Sequence, residues 1–202
     1  MDPYLLLILV ACLFILVFGG LGALRREGLS LQFAVEAIAL TLLLVGGSWL
    51  LRTPLNPVLF LLILYLITMR SRLIVDLANL LVQRGRPQPA FSLYKLALAL
   101  LPDASSRLIV LVNQGAAFLH QGQVDPAIAI LESVLDKAER PRLGAKNEAA
   151  CCYNLGYAYE LKAEYAKSNA HFHQAIDALP GSVYAQGAQA AIRRRKSKPP
   201  DD

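Results

Sequence analysis

Apolar positions follow two different rhythms along the chain. From Tyr4 to Leu24 no charged residue interrupts the run, and from Ser30 to Leu51 only Gln32, Glu36 and a few hydroxyl and small residues do. Runs of about 20 apolar residues match a hydrocarbon core about 30 Å thick. Asn56-Pro57 then offers a cap and a helix-start proline before Val58 to Met69, a stretch that is short for a span. The apolar pattern continues through Leu73, Ile74, Leu77 and Leu80, with Arg70, Arg72 and Asp76 interrupting. This predicts a third membrane helix that runs without a break into the first helix of the second half, with no Ser/Gly/Pro linker between them. The expected membrane region is 1–70, with helices over 4–24, 30–51 and 57–70.

After that point the rhythm changes. A small residue is followed by an apolar or aromatic one, two more small ones, a bulky one and an apolar one, and the set occurs three times. The copies are Ala78, Leu81, Gly85, Ala90, Tyr94, Ala97; then Gly115, Phe118, Gly122, Ala127, Leu131, Val134; then Gly156, Tyr159, Ala163, Ser168, Phe172, Ala175. Two helices approach closely only where neither carries bulk, so the spacing predicts helix-turn-helix units in which small residues face one another and aromatics fill the gaps. Ala78, Ala90, Ala97, Gly115, Ala127, Gly156, Ser168 and Ala175 are the expected packing positions.

This pattern resembles the tetratricopeptide repeat, a unit of about 34 residues. Pro102 and Pro180 sit where that family ends its second helix, and Asn154-Leu155-Gly156 with Ala158-Tyr159 is close to its most recognisable stretch. The resemblance covers roughly 71–182, as repeats 71–104, 108–141 and 149–182. A capping helix is expected over 183–195 and a basic, proline-bearing tail over 196–202. The fold class is thus all-α: about three transmembrane helices, then a three-repeat α-solenoid. The joints between copies exceed the usual period. The longer one is read as an early helix start from Pro141 to Glu148, and Gly144 permits a plain loop as the alternative. Val134 stands where a small residue is usual, which predicts looser packing of the second copy on the third.

Composition fits this division, with 55% hydrophobic and 17% charged residues and a mean hydropathy of +0.44. The first apolar run has Asp2 before it and no basic residue. It is also too long for a signal peptide, so an uncleaved helix is expected. Arg25, Arg26, Arg70, Arg72, Arg84 and Arg86 fall on one side of three spans and Arg52 on the other. Positive charge marks the cytoplasmic side. The repeats are therefore expected on the cytoplasmic face of an inner membrane, or the equivalent face of an internal photosynthetic one.

Candidate chemistry is sparse. His171 and His173 are two apart, a poor spacing for helical metal ligands, and they flank the buried slot of Phe172. His120 stands alone, so no metal, cofactor or catalytic residue is expected. Cys12 lies in the first apolar run and Cys151-Cys152 are neighbours, which gives no disulfide framework. Glu36 is expected to snorkel or pair with Arg25 and Arg26; the sharper alternative is an intramembrane carboxylate that handles protons or binds a partner helix. Gly19, Gly20, Gly22, Gly46, Gly47 and Ser48 are candidates for close helix packing, or else mark frayed ends. Arg193, Arg194, Arg195, Lys196 and Lys198 account for the net charge of +5. They suit either the negative end of a capping helix or an anionic leaflet. The nearly neutral repeats offer no stripe for nucleic acid.

The resemblance implies a groove lined by each repeat's first helix. Matching positions include Val75, Asn79, Val112, Asn113, Ala116, His120, Tyr153, Asn154 and Tyr157, with Val82, Ile109 and Ala150 beside them. Tyr153 and Tyr157 are expected to form one aromatic platform. The positions matched carry no lysine or arginine to clamp an acidic tail. The implied role is a protein-protein scaffold and not an enzyme, with no small-molecule substrate: an assembly factor or accessory subunit of a membrane complex, of the respiratory or photosynthetic kind. The alternative is a transport or proton-handling component that uses Glu36.

Overall fold

The computed structural model describes residues 2–24, 30–136 and 143–197, and every regular element among them is helical. Helices α1 (Pro3–Leu24), α2 (Leu31–Leu50) and α3 (Pro57–Thr68) form a bundle. Each begins where a short polar side chain satisfies free backbone N–H groups. Asp2 Oδ1 accepts from Tyr4 N–H at 2.8 Å, Ser30 Oγ from Phe33 N–H at 3.1 Å, and Asn56 Oδ1 from Val58 N–H at 2.9 Å. Leu7, Ala11 and Phe14 of α1, Phe33 and Ala37 of α2, and Phe60 and Leu64 of α3 fill the centre. Leu13, Leu16, Leu42 and Leu43 lie on the outside, exposed. Among the described residues, α1 and α2 are long and apolar enough to cross a membrane. The Gly19, Gly20, Gly46 and Gly47 positions lie within these helices and face open space, with nothing within 4 Å of an added Cβ, so they make neither the close helix contact nor the frayed ends expected of them.

The third helix does not continue as expected. It stops at Thr68, and α4 (Arg70–Gln83) leaves Met69 at an angle of 72°. Two interactions account for the break. Thr68 Oγ1 bonds back to the Leu64 carbonyl at 2.7 Å, a contact that bends helices. Arg70 then turns onto α2, where its Nη1 and Nη2 meet the two oxygens of Glu36 at 2.5 and 3.0 Å.

Three helix-turn-helix pairs follow: α4 with α5 (Pro87–Ala99), α6 (Ala104–His120) with α7 (Val124–Asp136), and α8 (Ala145–Leu161) with α9 (Tyr165–Ala178). Within each pair the turn is the same. Gly85, Gly122 and Ala163 all take the left-handed conformation, with φ of 69°, 72° and 59°. The residue after each donates its N–H back to Leu81, Phe118 and Tyr159 respectively. This closes the first helix with the wrap-around bond of a Schellman motif. Ala78, Ala90, Ala97, Gly115, Ala127, Gly156, Ser168 and Ala175 are all buried. A Cβ on Gly115 would lie 2.7 Å from Leu131, and one on Gly156 would lie 2.5 Å from Phe172.

Two expectations change here. Leu143 and Gly144 are not helical, and α8 starts at Ala145 after Gly144 at φ 79°, so the loop reading holds for the part described; Pro141 lies outside the described residues. Val134 is fully buried in one core with Leu131, Leu155 and Phe172, so the second and third pairs share a continuous core at the place where looser packing was expected. Finally α10 (Val183–Ser197) lies across α8 and α9. Ala185, Ala188 and Ala191 form its buried stripe.

Candidate functional site

The first helices of the three pairs, α4, α6 and α8, line an open groove of about 800 Å³. Val75, Asn79, Val112, Asn113, Ala116, His120 and Asn154 line it, as do Val82, Ile109 and Ala150. Apolar side chains form much of the surface, and amides are set between them. Those amides are partly organised already. The Tyr94 hydroxyl donates to Asn79 Oδ1 at 2.6 Å, Asn79 Nδ2 donates to Asn113 Oδ1 at 3.0 Å, and Asn113 Nδ2 donates to the Ile109 carbonyl at 2.8 Å. Burial pushes the Tyr94 phenol up to about 12, so it remains a donor across the physiological range. Each linked amide keeps a second N–H that this network does not use.

Tyr153 and Tyr157 stand elsewhere. The Tyr153 ring packs on Phe172 and Tyr184 at centroid distances of 5.9 and 6.1 Å, with Gly187 of α10 against its edge. Tyr157 is exposed and outside the groove lining, so the two tyrosines do not make one platform there. The groove's second aromatic is Tyr184, from α10. Sequence reasoning missed it because α10 lies outside the repeated pattern. The lining also includes two cations, Arg72 and Lys146, and the acid Asp76, which corrects the expectation of a groove without basic residues. Arg72 is tied in place, its Nε donating to Ser106 Oγ at 3.1 Å.

A second polar cluster joins the apolar bundle to the repeats. Arg70 binds Glu36 through both guanidinium ends, and it also donates from Nε to the Leu100 carbonyl at 3.0 Å and from Nη1 to the Ile67 carbonyl at 2.9 Å. Gln32 Nε2 donates to Glu36 Oε1 at 3.0 Å and to the Leu101 carbonyl at 2.8 Å. Ser71 Oγ reaches the Ala97 carbonyl at 3.2 Å. The free carbonyls at the end of α5 are thus capped by side chains of α2 and α4, and two-pronged Arg–carboxylate geometry fixes their orientation. Glu36 pairs with Arg70, not with Arg25 and Arg26 as expected; those two lie outside the described residues.

The basic end of α10 divides in two. Arg193, Arg194 and Lys196 are exposed. Arg195 instead turns inward, donating to the Tyr165 carbonyl and to Ser168 Oγ, each at 3.2 Å, with its guanidinium 5.2 Å from the Tyr165 ring centre. It fastens α10 to α9 and is not free for lipid; Lys198 lies outside the described residues. His171 stacks on Tyr159 with centroids 5.5 Å apart and planes 4° apart, while His173 is exposed. Among the described residues no three or more His, Cys, Asp or Glu side chains gather as a metal site.

No curated protein and no solved structure matches the chain. A family model described as tetratricopeptide repeat matches residues 110–138, which take in most of α6, the Gly122 turn and α7. That match falls on one of three pairs closed by the same turn, and it supports a protein of the tetratricopeptide repeat family.

Proposed function

We propose that the chain is a membrane-anchored scaffold. Three tetratricopeptide repeats, α4–α5, α6–α7 and α8–α9, form a short α-solenoid capped by α10, and their groove holds a segment of a protein partner. The helices α1 and α2 span the bilayer, α3 is a short third span, and the repeats stand on the cytoplasmic side. The work of the protein is protein–protein contact, not catalysis, as an assembly factor or accessory subunit of a membrane complex of the respiratory or photosynthetic kind. The observation that carries this reading is the groove itself: an open channel of mixed apolar and polar lining whose amides are pre-set by the Tyr94–Asn79–Asn113 chain. Such a surface suits an amphipathic helix or an extended segment, the amides bonding to its backbone. The proton-handling alternative finds less support, because Glu36 is held by Arg70 and Gln32 in a structural joint.

A photo-crosslinking residue at Asn154, inside the groove, tests the proposal against one at Tyr157, outside it. In native membranes the Asn154 probe should capture a discrete protein that the Tyr157 probe does not. Filling the channel with Ala116→Arg should abolish that capture while helical content stays unchanged. Equal capture from both positions, or capture undiminished by Ala116→Arg, would move the binding surface elsewhere.

A further inference from the structure

The first repeat has two apolar faces, and only one is used inside the fold. On α4, Ser71, Val75 and Ala78 are buried against the repeats. Leu73, Leu77, Leu80 and Arg84 follow one another at helical spacings of four, three and four along the opposite side. Leu77 and Leu80 are 50% and 40% exposed. An apolar stripe of this kind on a neutral, well-packed domain calls for an occupant.

Three observations identify it. Leu73, at the start of the stripe, shares a crevice with Phe18 and Gly22 of α1 and Tyr65 of α3, so this side of α4 looks toward the ends of the apolar bundle. The 72° turn at Met69 lays α4 close to the plane of the bilayer when α3 stands upright. The stripe runs out at Arg84 and Arg86, both exposed cations, and exposed Leu101 lies beside Gln32 at the same end of the bundle. Leucines on one side with arginines at the end is the arrangement of a helix lying in a membrane interface. We infer that α4 is such an interfacial helix: Leu77 and Leu80 enter the headgroup–acyl boundary of the leaflet beside the repeats, and Arg84 and Arg86 meet its phosphates. The partner is the bilayer that carries α1 and α2, so the inference rests on the membrane-anchored reading.

Tryptophan fluorescence of the full chain separates the two ideas. The single native tryptophan is removed by Trp49→Phe, and new ones are placed singly as Leu77→Trp, Leu80→Trp, Leu13→Trp on the outer face of α1, and Leu161→Trp on the third repeat. The proteins are reconstituted into nanodiscs of phosphatidylcholine and phosphatidylglycerol, brominated near the headgroup end of the acyl chains or deep within them. Quenching by deep bromines at Leu13→Trp tests the anchor. Shallow bromines should quench Leu77→Trp and Leu80→Trp roughly twofold more strongly than Leu161→Trp, as expected for side chains about 5–10 Å into the boundary. If Leu13→Trp is quenched while Leu77→Trp and Leu80→Trp behave like Leu161→Trp, the anchor stands and the interfacial helix does not. Blue-shifted but unquenched emission at both positions would mean that protein, such as a second copy, covers the stripe, and would overturn the inference. An unquenched Leu13→Trp would remove both. Both stripe positions are exposed, and matching helical content establishes that each variant is folded.

Discussion

Replacing Gly156 by alanine pits helix propensity against packing. In an exposed helix the change would stabilise by about 1 kcal/mol, because glycine is the poorer helix former. Here the new Cβ would lie 2.5 Å from Phe172 Cδ1, 2.7 Å from Cε1 and 3.0 Å from Cγ. Ordinary contact begins near 3.4 Å, so the ring must retreat by close to an ångström. It has little room to do so. Phe172 is completely buried, with Tyr153 on one flank and the Arg195 guanidinium 5.9 Å from its centre. Overpacking of this kind costs about 1–3 kcal/mol, so after the propensity gain the net loss should be about 1 kcal/mol, within a range of roughly 0–2. For a chain of this size that lowers Tm by about 2–4 °C per kcal/mol. Thermal melts of the full chain in detergent, followed by far-UV circular dichroism, read it directly. Gly46→Ala, where an added Cβ meets nothing, should not lower Tm. Adding Phe172→Leu to Gly156→Ala should cost less than the two single changes summed, since the smaller side chain frees the contact. A Gly156→Ala protein that melts above the parent, together with full additivity, would refute the close approach.

Ala163 occupies the turn position that glycine holds in the other two pairs, at φ 59°. Relief of left-handed strain worth about 1–2 kcal/mol, less the greater freedom glycine has when unfolded, should leave Ala163→Gly more stable by roughly 0.5–1 kcal/mol; Gly122→Ala should lose a similar amount, and melts of both variants check this. Tyr94 and Tyr159 are both raised from 10.0 to about 12, so the folded state holds protons that the unfolded state gives up between those values. Their contribution is intact below pH 10 and lost as the pH rises toward 12, so helical signal should fall together with tyrosinate absorbance, and Tyr94→Phe should shift that limb upward. Glu36→Lys should open the joint and make the Arg70–Ser71 bond sensitive to trypsin, whereas Glu36→Gln, which keeps one acceptor, should remain close to the parent; equal cleavage of the two would deny the pairing a role.

What could be read from the chain depended on how far its physical cause reached. The small residues at Ala78, Gly115 and Gly156 declare themselves because a close helix contact within about 40 residues of chain admits nothing larger, and the repetition removes chance. The groove positions Asn79 and Asn113 follow from the same register. The break at Met69 was not legible, because its cause is a meeting between Arg70 and a carboxylate on α2 together with carbonyls at the end of α5. An apolar pattern that resumes after Arg70 and Arg72 carries no trace of such long-range partners. Tyr153 was misplaced for a related reason: its position in the repeat belongs to a groove in an internal copy, but here α10 arrives from outside the repeat and brings Gly187 onto the ring. Val134 looked like a flaw in the pattern because the pattern records contacts within a pair, whereas the core it joins is shared by the second and third pairs.

The placement of α10 at one end and of the Arg70 joint at the other also decides how these molecules meet one another. Repeat arrays carry a complementary face at each terminus, and head-to-tail stacking through those faces builds open filaments. Here the last pair's face is occupied by α10, held by Tyr184 on Tyr153 and by Arg195 on Ser168. The first pair instead meets the apolar bundle through Gln32, Glu36 and Arg70. The last pair's face is therefore closed to a neighbour, and a head-to-tail filament lacks one of its two complementary faces however many copies crowd into one bilayer.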